Sequence, residues 1–305
     1  MKSKITTAEA VKNAWKLRTV IPAFNVPYLP LMEPLVKAIK DTRIFGLIEV
    51  ARLEWMKFKA ESPSAVYKEF ISLAGSEPHI RLHLDHVPVI DEDGKRVDYM
   101  GIINEALVLG YQSVMVDGSR LSLEENISAV KKVVAAAHKY GIPVEAELGA
   151  VLGHEAGPLL PYEEIFSSGK GFTDSDEALR FAEETGVDWL SVAAGNIHGA
   201  IESSLKDIKK PEARLNIKHI ERVESAVNIP LVLHGGTGIK KEFIREGIKA
   251  GIAKINIGTA VRKPYENSID RSLKLAQEEV YKAAVQVIAE ELGIAGSAGK
   301  ICSCG

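Results

Sequence analysis

Ile80-Arg81-Leu82-His83-Leu84-Asp85-His86 begins as an aliphatic run and ends in a carboxylate and an imidazole. A buried strand ordinarily finishes in apolar or turn residues, so reactive side chains at its carboxyl end carry information. Strict strand alternation places His83 and Asp85 on one face and His86 on the other. Seven further short runs share this form: Val20 to Asn25, Gly46 to Arg52, Ser113 to Asp117, Pro143 to Leu148, Trp189 to Ala193, Pro230 to His234 and Ala253 to Ile257. Segments of helical periodicity separate them, opened by caps such as Asp174-Ser175-Asp176-Glu177 and closed at Gly141 and Gly186. Eight such pairs argue for a parallel sheet with crossover helices. A closed barrel and a doubly wound open sheet use the same elements, and the placement of polar residues separates them. Asn25, Asp85, His86, Asp117, Glu145, Glu147, Asn196, His198, His234, Asn256 and Thr259 all gather at or near strand carboxyl ends. That is where an α/β (β/α)8 barrel collects its chemistry.

The expected organisation is therefore one TIM barrel over residues 1–292, within the usual range of roughly 200 to over 400 residues for that fold. The Gly/Ala/Ser-rich stretch from Gly293 to Gly299 reads as the start of a flexible C-terminal tail, 293–305, which holds both cysteines, Cys302 and Cys304. With 38 basic and 41 acidic residues intermixed, no extended field draws a polyanion, so nucleic acid is not an expected partner. Met1 to Thr7 lacks the apolar core of a signal peptide, and no apolar run approaches the ~18 residues of a membrane span. The chain is read as cytoplasmic, with no membrane partner.

His86, His198 and His234 fall at the ends of the third, sixth and seventh strands. One histidine at such a place is ordinary packing, but three on one rim suit a three-nitrogen metal site with open positions. Imidazole ligands favour zinc and also accept cobalt or nickel. His79 precedes a strand, His138 and His219 fall in helices, and His154 lies in a loop near the mouth. The glycine-rich stretches His234-Gly235-Gly236-Thr237-Gly238 and Asn256-Ile257-Gly258-Thr259 follow strands seven and eight, where barrels often bind phosphate through backbone N–H groups.

Seven motifs occur in the order of one family: Pro22-Ala23-Phe24-Asn25, His83-Leu84-Asp85-His86, Ser113 through Ser119, Glu145-Ala146-Glu147-Leu148-Gly149, Gly195-Asn196-Ile197-His198-Gly199, Leu231 through Gly238 and Lys254 through Thr259. Together they resemble the class II, metal-dependent ketose-bisphosphate aldolases, whose members include fructose- and tagatose-bisphosphate aldolases. The resemblance runs from about Thr19 to Asn267. It implies a zinc ion held by His86, His198 and His234, with cobalt or another divalent ion as a substitute and a monovalent cation beside it. It implies that Asp85 moves the proton of the hydroxyl at the bond being cleaved, and that Glu155, in the loop Gly153-His154-Glu155-Ala156-Gly157, exchanges a proton on the carbon left behind. Glu147 matches a glutamate near the metal, either as a ligand or as a partner that orients a histidine. Asn25, Asp117, Ser119, Gly199, Gly235, Gly236, Thr237, Asn256 and Thr259 match positions around the substrate and its phosphate. The implied reaction is reversible cleavage of a ketose (bis)phosphate, fructose 1,6-bisphosphate first among candidates, to a dihydroxyacetone phosphate-type fragment and an aldehyde. A homodimer or homotetramer is implied as well.

Some positions depart from this pattern. A lysine-bearing segment usually follows the sixth-strand His-Gly, but here the run is His198-Gly199-Ala200-Ile201-Glu202, and a carboxylate there repels an anion. The second strand ends Glu49-Val50-Ala51-Arg52 where a serine-rich turn is usual. Arg52, Lys206 and Arg262 are candidates for the missing positive charge. Asp91 to Arg96 reads as a solvated insertion. The metal and proton-transfer positions are intact, so the reaction type stands apart from the substrate. The rival readings are a metal-dependent epimerase or isomerase, an aldolase for a mono- or non-phosphorylated or acidic ketose, and a non-catalytic sugar-phosphate sensor.

Overall fold

The computed structural model describes residues 5–149, 162–196, 213–236 and 238–304, with only the backbone of Ile165. Eight parallel strands follow one another around a closed barrel, and the last pairs back with the first. They are β1 (Ile21–Asn25), β2 (Gly46–Ala51), β3 (Ile80–Pro88), β4 (Ser113–Asp117), β5 (Val144–Leu148), β6 (Trp189–Val192), β7 (Leu231–Leu233) and β8 (Ile252–Ile257). Each agrees with the run read from the sequence to within one or two residues at either end. The reason is physical: strands covered on both sides must be nearly continuous in apolar residues, and such runs stand out between polar turns.

The described helices are α1 (Thr7–Lys16), α2 (Met32–Asp41), α3 (Arg52–Lys57), α4 (Pro63–Ala74), α5 (Tyr99–Leu109), α6 (Leu123–Ala137), α7 (Tyr162–Ser168), α8 (Ser175–Thr185), α9 (Ile217–Val227), α10 (Lys241–Lys249), α11 (Thr259–Ser268), α12 (Leu273–Gln286) and α13 (Ala298–Ser303). Side-chain oxygens of Thr6, Ser62, Asp98, Ser122, Asp174, Asn216 and Ser272 cap seven of them, satisfying N–H groups that the first turn leaves without partners. Gly141 and Gly186 turn the chain back towards the sheet at φ 67° and 68°, a backbone state that a side chain disfavours. Among the described residues no helix is long and apolar enough to cross a membrane. The Asp91 to Arg96 stretch is a tight hairpin, exposed from Glu92 to Arg96 around buried Asp91, whose Oδ1 accepts the N–H groups of Asp93 and Lys95.

Two cores result. Outward-facing residues such as Leu82, Leu84, Val114, Val116, Ala146 and Leu190 pack against the helices. Inside, Ile21, Ala23, Phe45, Leu47, Trp189 and Val232 fill the amino-terminal end of the barrel and meet Ala10, Val11 and Ala14 of α1.

Ile301 completes that inner cluster, fully buried, which corrects the expectation of a flexible tail over 293–305. The Gly296 and Ala298 N–H groups donate to the carbonyls of Thr42 and Arg43, and Asn13 Nδ2 donates to the Ile301 carbonyl at 2.9 Å. Glycine-rich composition suggested mobility, but two apolar anchors hold the segment, Ile294 in the outer core and Ile301 in the barrel floor.

Candidate active site

Strand β3 slips its pairing with β4 between Leu84 and Val87, so that Val87 lies opposite Val116 and Pro88 opposite Asp117. The extra residue of a bulge breaks alternation. Asp85 and His86 therefore both reach the mouth of the barrel, contrary to the opposite faces expected from strict alternation. His86 holds a φ of +28°, outside the comfortable range of an L-residue, and strain of this kind concentrates at functional sites.

Asp85 is buried and clamped from two strands. Asn25 Nδ2 at the end of β1 donates to Oδ2 at 3.0 Å, and Asn256 Nδ2 of β8 donates to Oδ1 at 2.9 Å. Burial alone would raise its pKa, but His86, Lys254 and His234 hold it below the usual aspartate value. It is held ionised and oriented at neutral pH.

His86 and His234 meet with Nε2 and Nδ1 2.7 Å apart. The other nitrogens face carboxylates: His86 Nδ1 lies 3.2 Å from Asp117 Oδ2 and His234 Nε2 2.8 Å from Glu145 Oε1. With N–H directed at each carboxylate, His234 Nδ1 presents a lone pair, and His86 Nε2 does too once a cation displaces the proton between them. Potential ligand atoms of Asp85, His86 and His234 lie within 4.8 Å of one another, as do those of His86, Asp117 and Glu147. The electrostatics agree. Burial opposes charge on His86, yet Asp85, Asp117 and Glu147 hold its pKa well above the usual histidine value. Burial and the neighbouring His86 push His234 far below it. This is a place built to hold positive charge between carboxylates.

Glu147 of β5 is buried, with Oε2 3.5 Å from His234 Nδ1 and 3.4 Å from Ser191 Oγ. Burial and Asp117 raise its pKa well above the ordinary glutamate value. Asp117 accepts the Ser119 N–H and Oγ–H at 2.9 and 2.7 Å, so these two expected positions form one unit beside His86. Gly235 takes φ +66° directly after His234, and Gly236 is buried against Ile255. Thr259 opens α11. Glu155, His198, Gly199, Thr237, His154, Glu202 and Lys206 lie outside the described residues. Of the candidate cations, Arg262 is paired with Glu266 within α11 at 2.9 Å. His138 pairs with Asp188 and His219 Nε2 lies 2.8 Å from the Thr173 carbonyl, so neither joins the His86–His234 pair.

Beneath the site lies a layer whose roles the sequence reading passed over: Glu49, His83, Glu145, Trp189 and Lys254, all buried. The available signal was a charge inside an apolar strand, as in Ile48-Glu49-Val50 and Ala253-Lys254-Ile255. Lys254 Nζ lies 2.9 Å from Glu145 and 3.3 Å from Glu49, and His83 Nδ1 lies 2.8 Å from Ser113 Oγ. Burial opposes the ammonium, but Glu145 and Glu49 raise the Lys254 pKa.

Glu54 caps α3 by accepting the Ala51 N–H at 2.8 Å, and burial pushes its pKa up to about 8, with Asp85 adding to the shift. The fold thus favours its protonated form. The stability this brings is complete below the unfolded value near 4.5 and is lost as pH rises through about 8. The slope is up to ~1.4 kcal/mol per pH unit for one proton. Glu54→Gln should flatten the urea midpoint between pH 5 and pH 8; an unchanged slope would assign the titration to another group.

Three comparisons bear on this geometry. The family described as fructose-bisphosphate aldolase class-II matches residues 5–300. YdjI of Escherichia coli (strain K12), described as an uncharacterized protein, is 42% identical over 205 residues, 66% of this chain and 69% of that one. The crystal structure of the YdjI aldolase superimposes with a TM-score of 0.74 at 27% identity, covering 96% of this chain and 99% of that one. A proposed fructose-1,6-biphosphate aldolase from Coccidioides immitis gives a TM-score of 0.74 at 26% identity, over 98% and 99% of the two chains. Since the family match spans the whole barrel, from ahead of α1 into α13, and embraces the clamped Asp85 and the histidine pair, the chain belongs to the class-II fructose-bisphosphate aldolases.

Proposed function

We propose that this enzyme is a zinc-dependent aldolase that reversibly cleaves a phosphorylated ketose, fructose 1,6-bisphosphate first among candidates, to a dihydroxyacetone phosphate-type fragment and an aldehyde. The observation that carries this reading is the bulge in β3, which brings a clamped carboxylate and the His86 imidazole to the mouth as consecutive residues. Zinc bound by His86, His234 and His198, with Glu147 beside it, would supply Lewis-acid polarisation of the ketose oxygens. Asp85 takes the proton from the hydroxyl on the carbon that becomes the aldehyde, and that carbon–oxygen bond becomes a carbonyl as the carbon–carbon bond breaks. Asn25 and Asn256 keep the carboxylate aimed. Glu155 returns a proton to the carbon that keeps the electron pair. Asp117 and Ser119 hold His86 in place, and Gly199, Gly235, Gly236, Thr237 and Thr259 offer the phosphate end N–H groups and a helix start.

The pairing of Arg262 with Glu266, together with Glu202 at the place of a usual lysine, favours a second reading in which the ketose carries one phosphate. One experiment tests both. Protein stripped by a chelator should lose at least ~10³-fold of its cleavage rate, matching several kcal/mol of Lewis-acid stabilisation, and regain it with zinc. A panel of ketose mono- and bisphosphates then ranks substrates. Full cleavage by the metal-free protein would overturn the proposal.

A further inference from the structure

We infer that Lys254 is a positioning residue that sets the hydrogen-bond polarity of both the metal-binding and the proton-transfer groups, through Glu145 to His234 and through Asn256 to Asp85. The inference rests on the metal site proposed above and not on any particular substrate. Lys254 rises from β8, fully buried, and spans the barrel interior to Glu145 on β5. An ammonium only donates and an ionised carboxylate only accepts, so each chain of contacts has one direction.

Along the first chain, Glu145 Oε2 receives Lys254 Nζ at 2.9 Å and Trp189 Nε1–H at 2.7 Å. Its other oxygen faces His234 Nε2 at 2.8 Å. That nitrogen must carry the proton, which leaves the lone pair on Nδ1, the atom turned towards His86. Along the second chain, Lys254 Nζ donates to Asn256 Oδ1 at 2.6 Å. The amide is thereby turned with its NH₂ towards Asp85, where it donates at 2.9 Å. A reversed amide would set its carbonyl against the carboxylate. One charge thus specifies a histidine tautomer after β7 and an amide orientation on the neighbouring β8. Partners of this kind are worth about 10–100-fold in metal affinity.

Glu145→Gln tests the first chain without changing shape. Lys254 and Trp189 draw the new carbonyl oxygen to their side, so the new NH₂ faces His234 Nε2 and demands a lone pair there. Nitrogen-15 NMR of the metal-free variant should show His234 protonated on Nδ1, against Nε2 in the parent. Zinc affinity, measured by competition with a chromophoric chelator, should fall ~10–100-fold. Lys254→Met should give a mixture of tautomers and a similar loss; if it does not fold, the Glu145→Gln result decides alone. A Glu145→Gln protein that keeps the Nε2 proton and its zinc affinity would overturn the inference. Metal-independent cleavage would instead overturn the zinc-dependent reading and leave the tautomer result standing.

Discussion

Asp85→Ala is expected to reduce turnover by ~10²–10⁴-fold, the usual scale of a general acid–base group, while zinc remains bound. The expectation comes from how the carboxylate is held. Both oxygens are occupied by amide donors, and its charge is maintained inside the protein by His86, Lys254 and His234 against the cost of burial. Asp117 beside His86 is also held ionised, but its oxygens are engaged by Ser119 and His86 Nδ1, and burial pushes Glu147 and Glu49 the other way. Asp85 is also within reach of ligation, so two measurements are needed. Retained zinc with lost turnover assigns proton transfer to Asp85. Parallel loss of zinc would make it a ligand, and unchanged turnover would remove it from the mechanism. The variant leaves the Asn25 and Asn256 amides without their acceptor, at ~1–3 kcal/mol each, so it should also melt earlier.

The second large effect lies at the opposite end of the barrel. Ile301→Ala should lower stability by ~2–5 kcal/mol, as for other fully buried aliphatic side chains. Ile301→Asp should cost more still, because the carboxylate would enter an apolar cluster with no partner. Denaturant unfolding at fixed pH gives both values. A mobile tail would tolerate either substitution, so two parent-like midpoints would contradict the packed floor.

The barrel was legible because its strands are buried on both faces and their turns carry strong backbone preferences. The mouth was legible for a different reason: Asp85, Asp117, Glu147 and Asn256 are polar where a strand should end apolar, and an unexplained polar group in such a place implies use. Three features escaped. The bulge at His86 could not be read, since alternation is the rule available from sequence and the slip is set by pairing with β4. Lys254 and Glu49 look like ordinary charges until the closed barrel places them across one interior. The segment after Gly293 was judged on its glycine content, when the relevant signal was the isoleucine at each end of it.

The packed floor has a kinetic consequence. With α1, Trp189 and Ile301 packed across the amino-terminal end, the described residues close the barrel below the Lys254 layer, and exchange with that layer is expected from the mouth side. Loading and release of the proposed metal are therefore expected to be governed at the rim. Substitutions at the floor shift the folding equilibrium while leaving the residence time of the bound ion to the residues that surround the doorway.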